Sequence, residues 1–486
     1  MITETTTFVI KSINVSHTKI IATIGPASSS KKILRELFAA GINVCRLNFS
    51  HGTHDDHRQS IQNIIELNQE MRTNVTIMAD LQGPKIRIGE VENGTVVLEA
   101  GQLIDLVTDK CIGTDQQLHV NLAGLANDVK PKEIVLIDDG RIKLEVVSAD
   151  KKRKIIAKVI HGGAVNSYKG VNLPNTELSL PSLTEKDITD ALFALDYNVD
   201  WIALSFVRSA DDLAHLRDLC RSKKKFARII AKVERPEALE NIDEIIDASN
   251  GIMVARGDLG VEVPFDRVPM LQKMIVKKCI DQAKPVVIAT QMLESMIANF
   301  RPTRAEANDV ANAVLDGADA VMLSGETAIG KYPVEVVKAM SQIVDWTETH
   351  GFQYNREKLP DINSRTFLPD SICLNACRLA DQANAKAIVV FTFSGYTAMR
   401  ISSHRPEAEI FVFTHNKALV RKMAFIWGAH AYHAEEAHGI EEAIEQSIAN
   451  LKERGYVKTG DVVVHVGSTP FDEKGQTNMI KLSYVS

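Results

Sequence analysis

Short apolar runs rich in β-branched residues recur along most of the chain. Eight of them begin at residues 19, 43, 75, 200, 228, 251, 285 and 319. Most are followed by apolar residues at i, i+3, i+4 and i+7, as at Ile33, Leu34, Leu37 and Phe38, which is the period of an amphipathic helix. Continuous apolar strands that alternate with helices are typical of a parallel sheet buried on both faces. Eight such units predict an α/β fold closed into a (β/α)8 TIM barrel.

One interval interrupts this alternation. Between residues 83 and 182 the helical period disappears and short strands replace it, for example at 134–137 and 142–147. Between those two strands, Asp139 and Gly140 favour a tight hairpin turn. We therefore expect an inserted, β-barrel-like domain after the third barrel strand, where it would act as a lid over an active site.

A third region starts at residue 350, where apolar runs at 387–391, 410–413 and 462–466 again alternate with helical patterns. The predicted domains are a discontinuous barrel of residues 1–82 and 183–349, an inserted lid of residues 83–182, and a C-terminal α/β domain of residues 350–486.

The composition excludes several classes of protein. The chain has 486 residues, of which 45% are hydrophobic and 24% charged, as in ordinary globular proteins of several domains. A net charge of −6 gives no general attraction to nucleic acid or to anionic membranes, so neither is expected as a partner. The sequence shows neither a long apolar span nor a signal-peptide pattern, and we expect a cytoplasmic protein.

Polar side chains collect where the predicted barrel strands end. Catalytic residues of (β/α)8 barrels gather at the carboxyl ends of the strands. Those ends carry Arg46, Asn48 and Ser50; Asp80; Lys232 and Glu234; Arg256 and Asp258; Thr290; and Ser324 with Glu326. One buried polar group is often structural, but convergence from six strands indicates an active site.

The residue types at these ends favour phosphoryl transfer. Lys232 and Glu234 lie two apart on one strand and so point to the same face, and the next strand ends at Asp258. Glu234 and Asp258 offer hard oxygen ligands suited to Mg²⁺. Lys232 and Arg46 can neutralise a transferring phosphoryl group, and the amides of Gly257 and Asp258 open a predicted helix that can hold a carboxylate. The alternative is a buried Lys–Glu ion pair without metal, which would be costly.

The chain resembles pyruvate kinases over nearly its whole length. The matching segments are residues 18–26 (TKIIATIGP), 46–52 (RLNFSHG), 229–236 (IIAKVERP), 253–262 (MVARGDLGVE), 289–296 (ATQMLESM) and 322–328 (MLSGETA). The resemblance implies a barrel, a mobile lid and a C-terminal regulatory domain, usually assembled as a homotetramer. It also implies conversion of phosphoenolpyruvate and ADP into pyruvate and ATP, the last step of glycolysis, with Mg²⁺ or substituting Mn²⁺.

The resemblance assigns a role to each matching residue. Lys232 would stabilise the transferring phosphoryl group, and Glu234 and Asp258 would bind Mg²⁺. The remaining roles are contact with the phosphoryl group by Arg46; binding of the substrate carboxylate by Gly257, Asp258 and Thr290; a proton route to the enolate at Ser324; and binding of ADP or ATP by Arg46, Asn48, His51, Arg87 and, from the lid, Lys169.

One departure from the family concerns the monovalent cation. Asn48, Ser50, Asp80 and the Leu81 carbonyl match the K⁺ site of potassium-dependent relatives, but Lys85 replaces their glutamate. Our hypothesis is that the Lys85 ammonium lies beside Asp80 and supplies the charge that K⁺ supplies in those relatives, which would make turnover independent of K⁺. The alternative is that Lys85 points to solvent and K⁺ still binds.

The C-terminal domain carries a candidate effector site. Thr392, Ser394, Gly395 and Thr397 lie between an apolar strand and a helix start, and they resemble the loop that holds an effector phosphate in the family. A phosphorylated allosteric effector is therefore expected. The alternative is that Ser394 or Thr397 simply caps the helix.

Two other functions compete with the kinase. A Mg²⁺-dependent aldolase or lyase acting on pyruvate enolate needs no nucleotide-binding lid, so Arg87, Lys169 and the insert argue against it. A non-catalytic metabolite sensor would tolerate loss of Lys232, Glu234 or Asp258, and all three are present.

Overall fold

The structure is a computed structural model that describes residues 16–435, 437–470 and 477–486. The expectation of no signal peptide falls on residues 1–15, outside these ranges. None of the described helices is long and apolar enough to cross a membrane. The chain divides into two compact units: one takes in the residues up to Leu47, Asp55–Met78 and Cys279–Ser486, and the other Asn48–His54 and Ala79–Lys278. The domain boundaries given above stay a prediction.

The first strand–helix units follow the predicted pattern. They are β1 (Lys19–Ile24), α1 (Lys31–Ala39), β2 (Val44–Asn48), α2 (His54–Met71) and β3 (Thr76–Asp80). Every residue of β1 and β3 is buried, as expected of strands covered on both faces. The Ser30 side chain accepts a hydrogen bond from the Ile33 amide and fixes the start of α1.

The insert is rich in strands, as predicted. Its elements are β4 (Thr95–Leu98), β5 (Leu103–Val107), β6 (Gln117–His119), α3 (Leu125–Asp128), β7 (Ile134–Ile137), β8 (Ile142–Ala149), β9 (Lys154–His161), β10 (Gly163–Asn166) and β11 (Val171–Asn172). Six strands form a half-barrel sheet in the order β11-β7-β8-β9-β5-β6, and β10 pairs with β4. An apolar core of its own, including Leu106, Leu144 and Val159, stabilises the insert.

The chain then completes the barrel. These elements are α4 (Glu185–Asp196), β12 (Trp201–Leu204), α5 (Ala210–Ser222), β13 (Arg228–Val233), α6 (Pro236–Glu240), α7 (Ile242–Ala248), β14 (Gly251–Ala255), α8 (Arg256–Glu262), α9 (Val268–Asp281), β15 (Val286–Ala289), α10 (Arg304–Asp316), β16 (Ala320–Leu323), α11 (Gly325–Ala328) and α12 (Pro333–His350). Eight strands close in the order β1-β16-β15-β14-β13-β12-β3-β2, which confirms the predicted barrel. In this fold the carboxyl ends of the strands form the catalytic face.

The C-terminal elements form the predicted smaller α/β domain. They are α13 (Phe367–Gln382), β17 (Ala387–Phe391), α14 (Tyr396–Ser403), β18 (Glu409–Thr414), α15 (Lys417–Met423), β19 (Ala429–His433), α16 (Ile440–Glu453), β20 (Val462–Gly467) and β21 (Met479–Tyr484). The sheet order is β19-β18-β17-β20-β21, with only the β20–β21 pair of this sheet antiparallel. Ile388 and Val390 pack into one apolar core, whereas Ala387 and Val389 pack into another, so the sheet is buried on both faces.

Candidate active site

A buried ammonium lies among carboxylates at the end of β13. Lys232 Nζ lies 2.9 Å from Glu234 Oε1 and 3.1 Å from Asp80 Oδ1, and it donates to Ser205 Oγ at 2.7 Å. Lys232 is 9% exposed, and the two carboxylate residues are 1% exposed. The spacing of two residues puts Lys232 and Glu234 on one face, as predicted, while Asp80 ends β3. Three buried charges within hydrogen-bonding distance are expensive to assemble and are typical of a functional site.

Glu234 uses both carboxylate oxygens in this arrangement. Its Oε2 accepts a hydrogen bond from the Phe206 amide at 2.8 Å, while Oε1 faces Lys232. Burial raises the pKa of Glu234 above its ordinary value, Lys232 opposes that shift by favouring the carboxylate, and the negative charge of Asp258 adds to it. A divalent cation beside Glu234 and Asp258 would relieve this repulsion.

The residues present fit a Mg²⁺ site that substrate oxygens complete. Asp258 and Gly257 lie in the first turn of α8, which begins at Arg256 as the sequence indicated. Within the described ranges, no group of three or more His, Cys, Asp or Glu side chains is arranged to hold a metal. A cation here would therefore take only one or two protein carboxylates, which is how Mg²⁺ binds together with water and substrate phosphates.

A cleft of about 250 Å³ opens beside this centre and is lined by residues of the insert and of the barrel within the same unit. Asp258 lines it, and so do five basic side chains: Lys85, Arg87, Lys169, Arg208 and Arg235. Arg208 and Arg235 are held in place, because Arg208 donates to two backbone carbonyls and Arg235 pairs with Glu237 and Glu262. The predicted nucleotide residues Arg87 and Lys169 thus share one basic cleft with the predicted metal ligand Asp258.

Lys85 does not lie where the sequence-based hypothesis placed it. The ammonium beside Asp80 is that of Lys232, and no carboxylate of the described residues lies within ion-pairing distance of Lys85. Gly83, with φ of 68°, turns the chain after β3, and its amide donates to Asp187 at 3.0 Å. Lys85 instead lines the cleft. The expected Lys85–Asp80 pair is wrong, whereas the K⁺ requirement itself stays a prediction.

The predicted K⁺ positions lie at the ends of β2 and β3 and directly after them. Asn48 Oδ1 accepts from the Ser50 amide at 3.1 Å, and the Asn48 carbonyl accepts from the His51 amide at 3.2 Å. The Leu81 carbonyl accepts from Ser205 Oγ at 2.7 Å. The structure brings Asn48, Ser50 and His51 into one turn, and their ligand roles stay predictions.

Three further predicted site residues belong to the other unit. Arg46 in β2 is 8% exposed and donates to Thr23 Oγ1 at 2.9 Å. Thr290, directly after β15, has φ of 68°, which is strained for a β-branched residue and persists only where its surroundings hold it. Ser324 follows β16; its amide donates to Glu326 Oε2 at 2.7 Å, and among the described residues its buried hydroxyl has no hydrogen-bond partner. Strain at Thr290 and the unsatisfied Ser324 hydroxyl are typical of residues kept for a ligand.

The candidate effector loop is ordered by its own hydroxyls. Thr392 Oγ1 accepts from the Gly395 amide at 3.1 Å, and Ser394 Oγ accepts from the first amide of α14 at 3.4 Å. The Thr397 hydroxyl lies 2.6 Å from that of Thr477. Gly395, with φ of 86°, is the N-cap of α14, rather than Ser394 or Thr397. The effector site itself stays a prediction.

Sequence reasoning missed the residues that hold Lys232 and Glu234 in place. Ser205 and Phe206 follow β12 directly, so the rule that polar groups collect at strand ends would have found Ser205. Phe206 acts through its backbone amide and carries no side-chain signal. The Asp138 carboxylate, 2.8 Å from Lys169 Nζ, lies in a turn that the sequence indicated only as a hairpin connection.

Comparisons with known proteins agree with this geometry. The family model for the pyruvate kinase barrel domain matches residues 15–337, and that for the pyruvate kinase alpha/beta domain matches residues 370–483. The chain is 43% identical over 471 residues to a pyruvate kinase of Geobacillus stearothermophilus, covering 96% of this chain and 80% of that protein. It is 43% identical over 468 residues to one of Corynebacterium glutamicum, covering 96% of each. A crystal structure of a pyruvate kinase from Cryptosporidium parvum superposes with a TM-score of 0.90 at 36% identity, covering 98% of both chains. The chain therefore belongs to the pyruvate kinase family.

Proposed function

We propose that the chain transfers the phosphoryl group of phosphoenolpyruvate to ADP, giving pyruvate and ATP in the last step of glycolysis, with Lys232, Glu234 and Asp258 at its catalytic centre. The observation that carries the proposal is the Lys232 ammonium, buried between two carboxylates in the same unit as a basic cleft. The alternative of a plain structural ion pair does not account for a cleft that Asp258 and five basic side chains line together.

Lys232 supplies a positive charge fixed before the substrate binds. Ser205, Glu234 and Asp80 hold its ammonium, so little reorganisation is needed when phosphoryl oxygens approach. Mg²⁺ held by Glu234 and Asp258 would neutralise charge on the same phosphoryl group. Lys232 is a poor direct proton donor in this role, because its N–H groups face carboxylates and phosphoryl oxygens.

The remaining roles are proposed residue by residue. Arg87 and Lys169 bind the phosphates of ADP from the cleft, supported by their positions along its wall. The other proposed contacts are Arg46, Asn48 and His51 for the nucleotide; Arg46 for the phosphoryl group; Gly257, Asp258 and Thr290 for the substrate carboxylate; and Ser324 for delivery of a proton to the enolate.

Members of this family use Mg²⁺ and K⁺. For this chain we propose Mg²⁺, with Mn²⁺ as a substitute, and Asn48, Ser50, Asp80 and Leu81 as the positions available to K⁺. We further propose a phosphorylated effector at the loop of residues 392–397, a homotetramer and a cytoplasmic location. These proposals follow from the family, and the effector site is also supported by the amides and hydroxyls that the loop collects before α14.

The test is pyruvate formation from phosphoenolpyruvate and ADP with Mg²⁺, in K⁺-free buffer and again with K⁺ at matched ionic strength. We expect turnover that requires both substrates and the divalent cation. Turnover in both buffers would show that K⁺ is dispensable, and turnover only with K⁺ would show that it is required. Absence of turnover in both would overturn the proposal and favour a lyase or a sensor.

The metal ligands are tested by a matched pair of variants. Asp258→Asn should weaken activation by Mg²⁺ at least tenfold, because it removes one of two carboxylates. Asp243→Asn makes the same charge change at an exposed residue that pairs with Lys278 and should leave the Mg²⁺ titration unchanged. Equal Mg²⁺ titrations for the wild type and Asp258→Asn would remove Asp258 from the metal site.

A further inference from the structure

The lid contains a buried carboxylate to which neither the catalytic centre nor the nucleotide contacts assign a role. Asp138 follows β7 directly and is 8% exposed. Its Oδ1 lies 2.8 Å from Lys169 Nζ, and its Oδ2 lies 3.6 Å from Arg141 Nη1. The Arg141 side chain is 79% exposed, so that contact is a weak surface pair. Lys169 is therefore the main partner of Asp138.

Backbone pairing brings this ion pair to the cleft. Strand β11 pairs antiparallel with β7, and the Asp138 amide donates to the Gly170 carbonyl at 3.1 Å. On its other side, Gly170 pairs with Arg87. Asp138, Lys169 and Arg87 thus come from three neighbouring backbone segments, and all three line the cleft.

The turns on both sides of the ion pair are strained. Asp138 and Asp139 have φ of 54° and 55°, and Tyr168, which precedes Lys169, has φ of 64°. Few residues other than glycine adopt these left-handed angles, although Asp and Asn tolerate them better than most. Gly140, with φ of 83°, follows them in the same turn and adopts its left-handed angle without such strain. Strain of this kind collects at functional sites.

The geometry suits an ammonium held for another anion. Lys169 carries three N–H groups, and within the described part of the chain Asp138 is the only carboxylate within 4 Å of its Nζ. One carboxylate leaves N–H groups of Lys169 available to phosphate oxygens. The pair also restricts the flexible lysine stem before a ligand arrives, so that less conformational entropy is lost on binding.

We propose that Asp138 is a positioning residue for nucleotide binding: its carboxylate holds the Lys169 ammonium in the cleft, where that ammonium binds the phosphates of ADP. The inference rests on the proposed function, because ADP is the ligand that it invokes. A positioning role would explain why the turn after β7 is strained. It would also explain why a carboxylate is buried in a cleft that binds an anion.

The direction in which Asp138→Asn changes KM for ADP separates a positioning role from a simple effect of charge. Asp138→Asn keeps the side-chain shape and the tolerance of left-handed angles but removes the negative charge. We expect KM for ADP to rise about tenfold, with KM for phosphoenolpyruvate and kcat within about twofold of the wild type. If only net charge mattered, removal of an anion near phosphate would lower KM for ADP.

The same turn offers a matched control. Asp139 is exposed, is also left-handed and also lines the cleft, but it makes no ion pair among the described residues. Asp139→Asn therefore makes the same chemical change without loosening Lys169, and KM for ADP should stay within about twofold of the wild type. Circular dichroism and thermal melts of all variants check that the fold is kept.

A double-mutant cycle tests whether Asp138 acts through Lys169. Lys169→Met should raise KM for ADP, and Asp138→Asn should add nothing further in the Lys169→Met background. The inference would be overturned if the effects of the two substitutions on KM for ADP were independent and multiplied. It would also be overturned if KM for ADP were unchanged or lower in Asp138→Asn, or if it rose equally in Asp139→Asn. Absence of turnover in the wild-type protein would instead overturn the proposed function. In that case calorimetric titration with ADP compares the same variants. Equal affinities of Asp138→Asn and the wild type for ADP would then contradict the positioning role.

Discussion

The buried charges around Lys232 make Lys232→Met an informative substitution. Methionine keeps an unbranched stem of similar volume but removes an ammonium 2.9 Å from Glu234 and 3.1 Å from Asp80. Both carboxylate residues are 1% exposed, so water replaces the lost partner poorly. The substitution should therefore lower both the stability and the turnover, by amounts that can be worked out separately.

The stability loss follows from the uncompensated carboxylates. Removing one partner of a buried ion pair costs about 3–5 kcal/mol. Glu234 keeps the hydrogen bond from the Phe206 amide, and burial already raises its pKa, so it can take up a proton when Lys232 is lost. We therefore expect the lower end of that range, about 3 kcal/mol. Loss of one preorganised charge from the proposed phosphoryl site should lower kcat by about a thousandfold.

The assay combines initial rates of pyruvate formation with thermal denaturation followed by circular dichroism. Mg²⁺ should raise the denaturation midpoint of Lys232→Met more than that of the wild type, because a cation beside Glu234 would compensate a carboxylate that has lost its ammonium partner. Lys278→Met is the control: this lysine pairs with Asp243 at the surface, and its loss should cost under about 1 kcal/mol with full activity. Turnover of folded Lys232→Met within tenfold of the wild type would refute the catalytic role.

Three further predictions test other parts of the structure. Arg405 is 1% exposed and lies 3.1 Å from buried Asp319, so Arg405→Met should cost about 3 kcal/mol, seen as a lower thermal midpoint; an unchanged midpoint would show that Asp319 is satisfied without it. Burial lowers the pKa of His465 to about 4, so the unfolded chain binds more protons between pH 4 and 6.5 and stability falls as the pH drops through that window. In His465→Phe that part of the decline should be missing, and equal slopes of midpoint against pH would contradict the assignment. Thr290→Gly should keep or raise the thermal midpoint, because relief of left-handed strain offsets glycine's backbone entropy, about 1 kcal/mol each, while turnover falls at least tenfold. Full activity of this variant would remove Thr290 from the substrate site.

The features that could be predicted from the sequence are those with a periodic pattern of residues along one segment of the chain. Buried parallel strands leave continuous apolar runs, and the eight runs correspond to the eight strands of the closed barrel. The spacing of Lys232 and Glu234 likewise predicted that both would face the same side. Roles that rest on resemblance, such as that of Ser324, stay predictions even though its buried hydroxyl is compatible with a ligand.

The features that sequence reasoning missed depend on contacts between distant segments. The ammonium beside Asp80 comes from β13, whereas Lys85, which is nearer in sequence, lines the cleft after the turn at Gly83. No local pattern reports that turn's direction. The ion pair between Asp138 and Lys169 likewise depends on the pairing of β11 with β7. The sequence of neither short strand predicts that they pair.

Lys232 and Lys169 have the same local arrangement, in which a buried carboxylate lies beside the ammonium of a proposed anion ligand. Each is a predicted phosphate ligand, and each has its ammonium within 3.1 Å of a buried carboxylate. A lysine left free in solvent would bring its full charge to the phosphate but would lose its rotamer freedom on binding. A lysine held by a carboxylate loses that freedom during folding and still offers its other N–H groups to the ligand. The cost is a weaker net positive charge before binding. Carboxylates beside the proposed phosphate sites are therefore compatible with anion binding, provided that a fixed ammonium lies between each carboxylate and the anion.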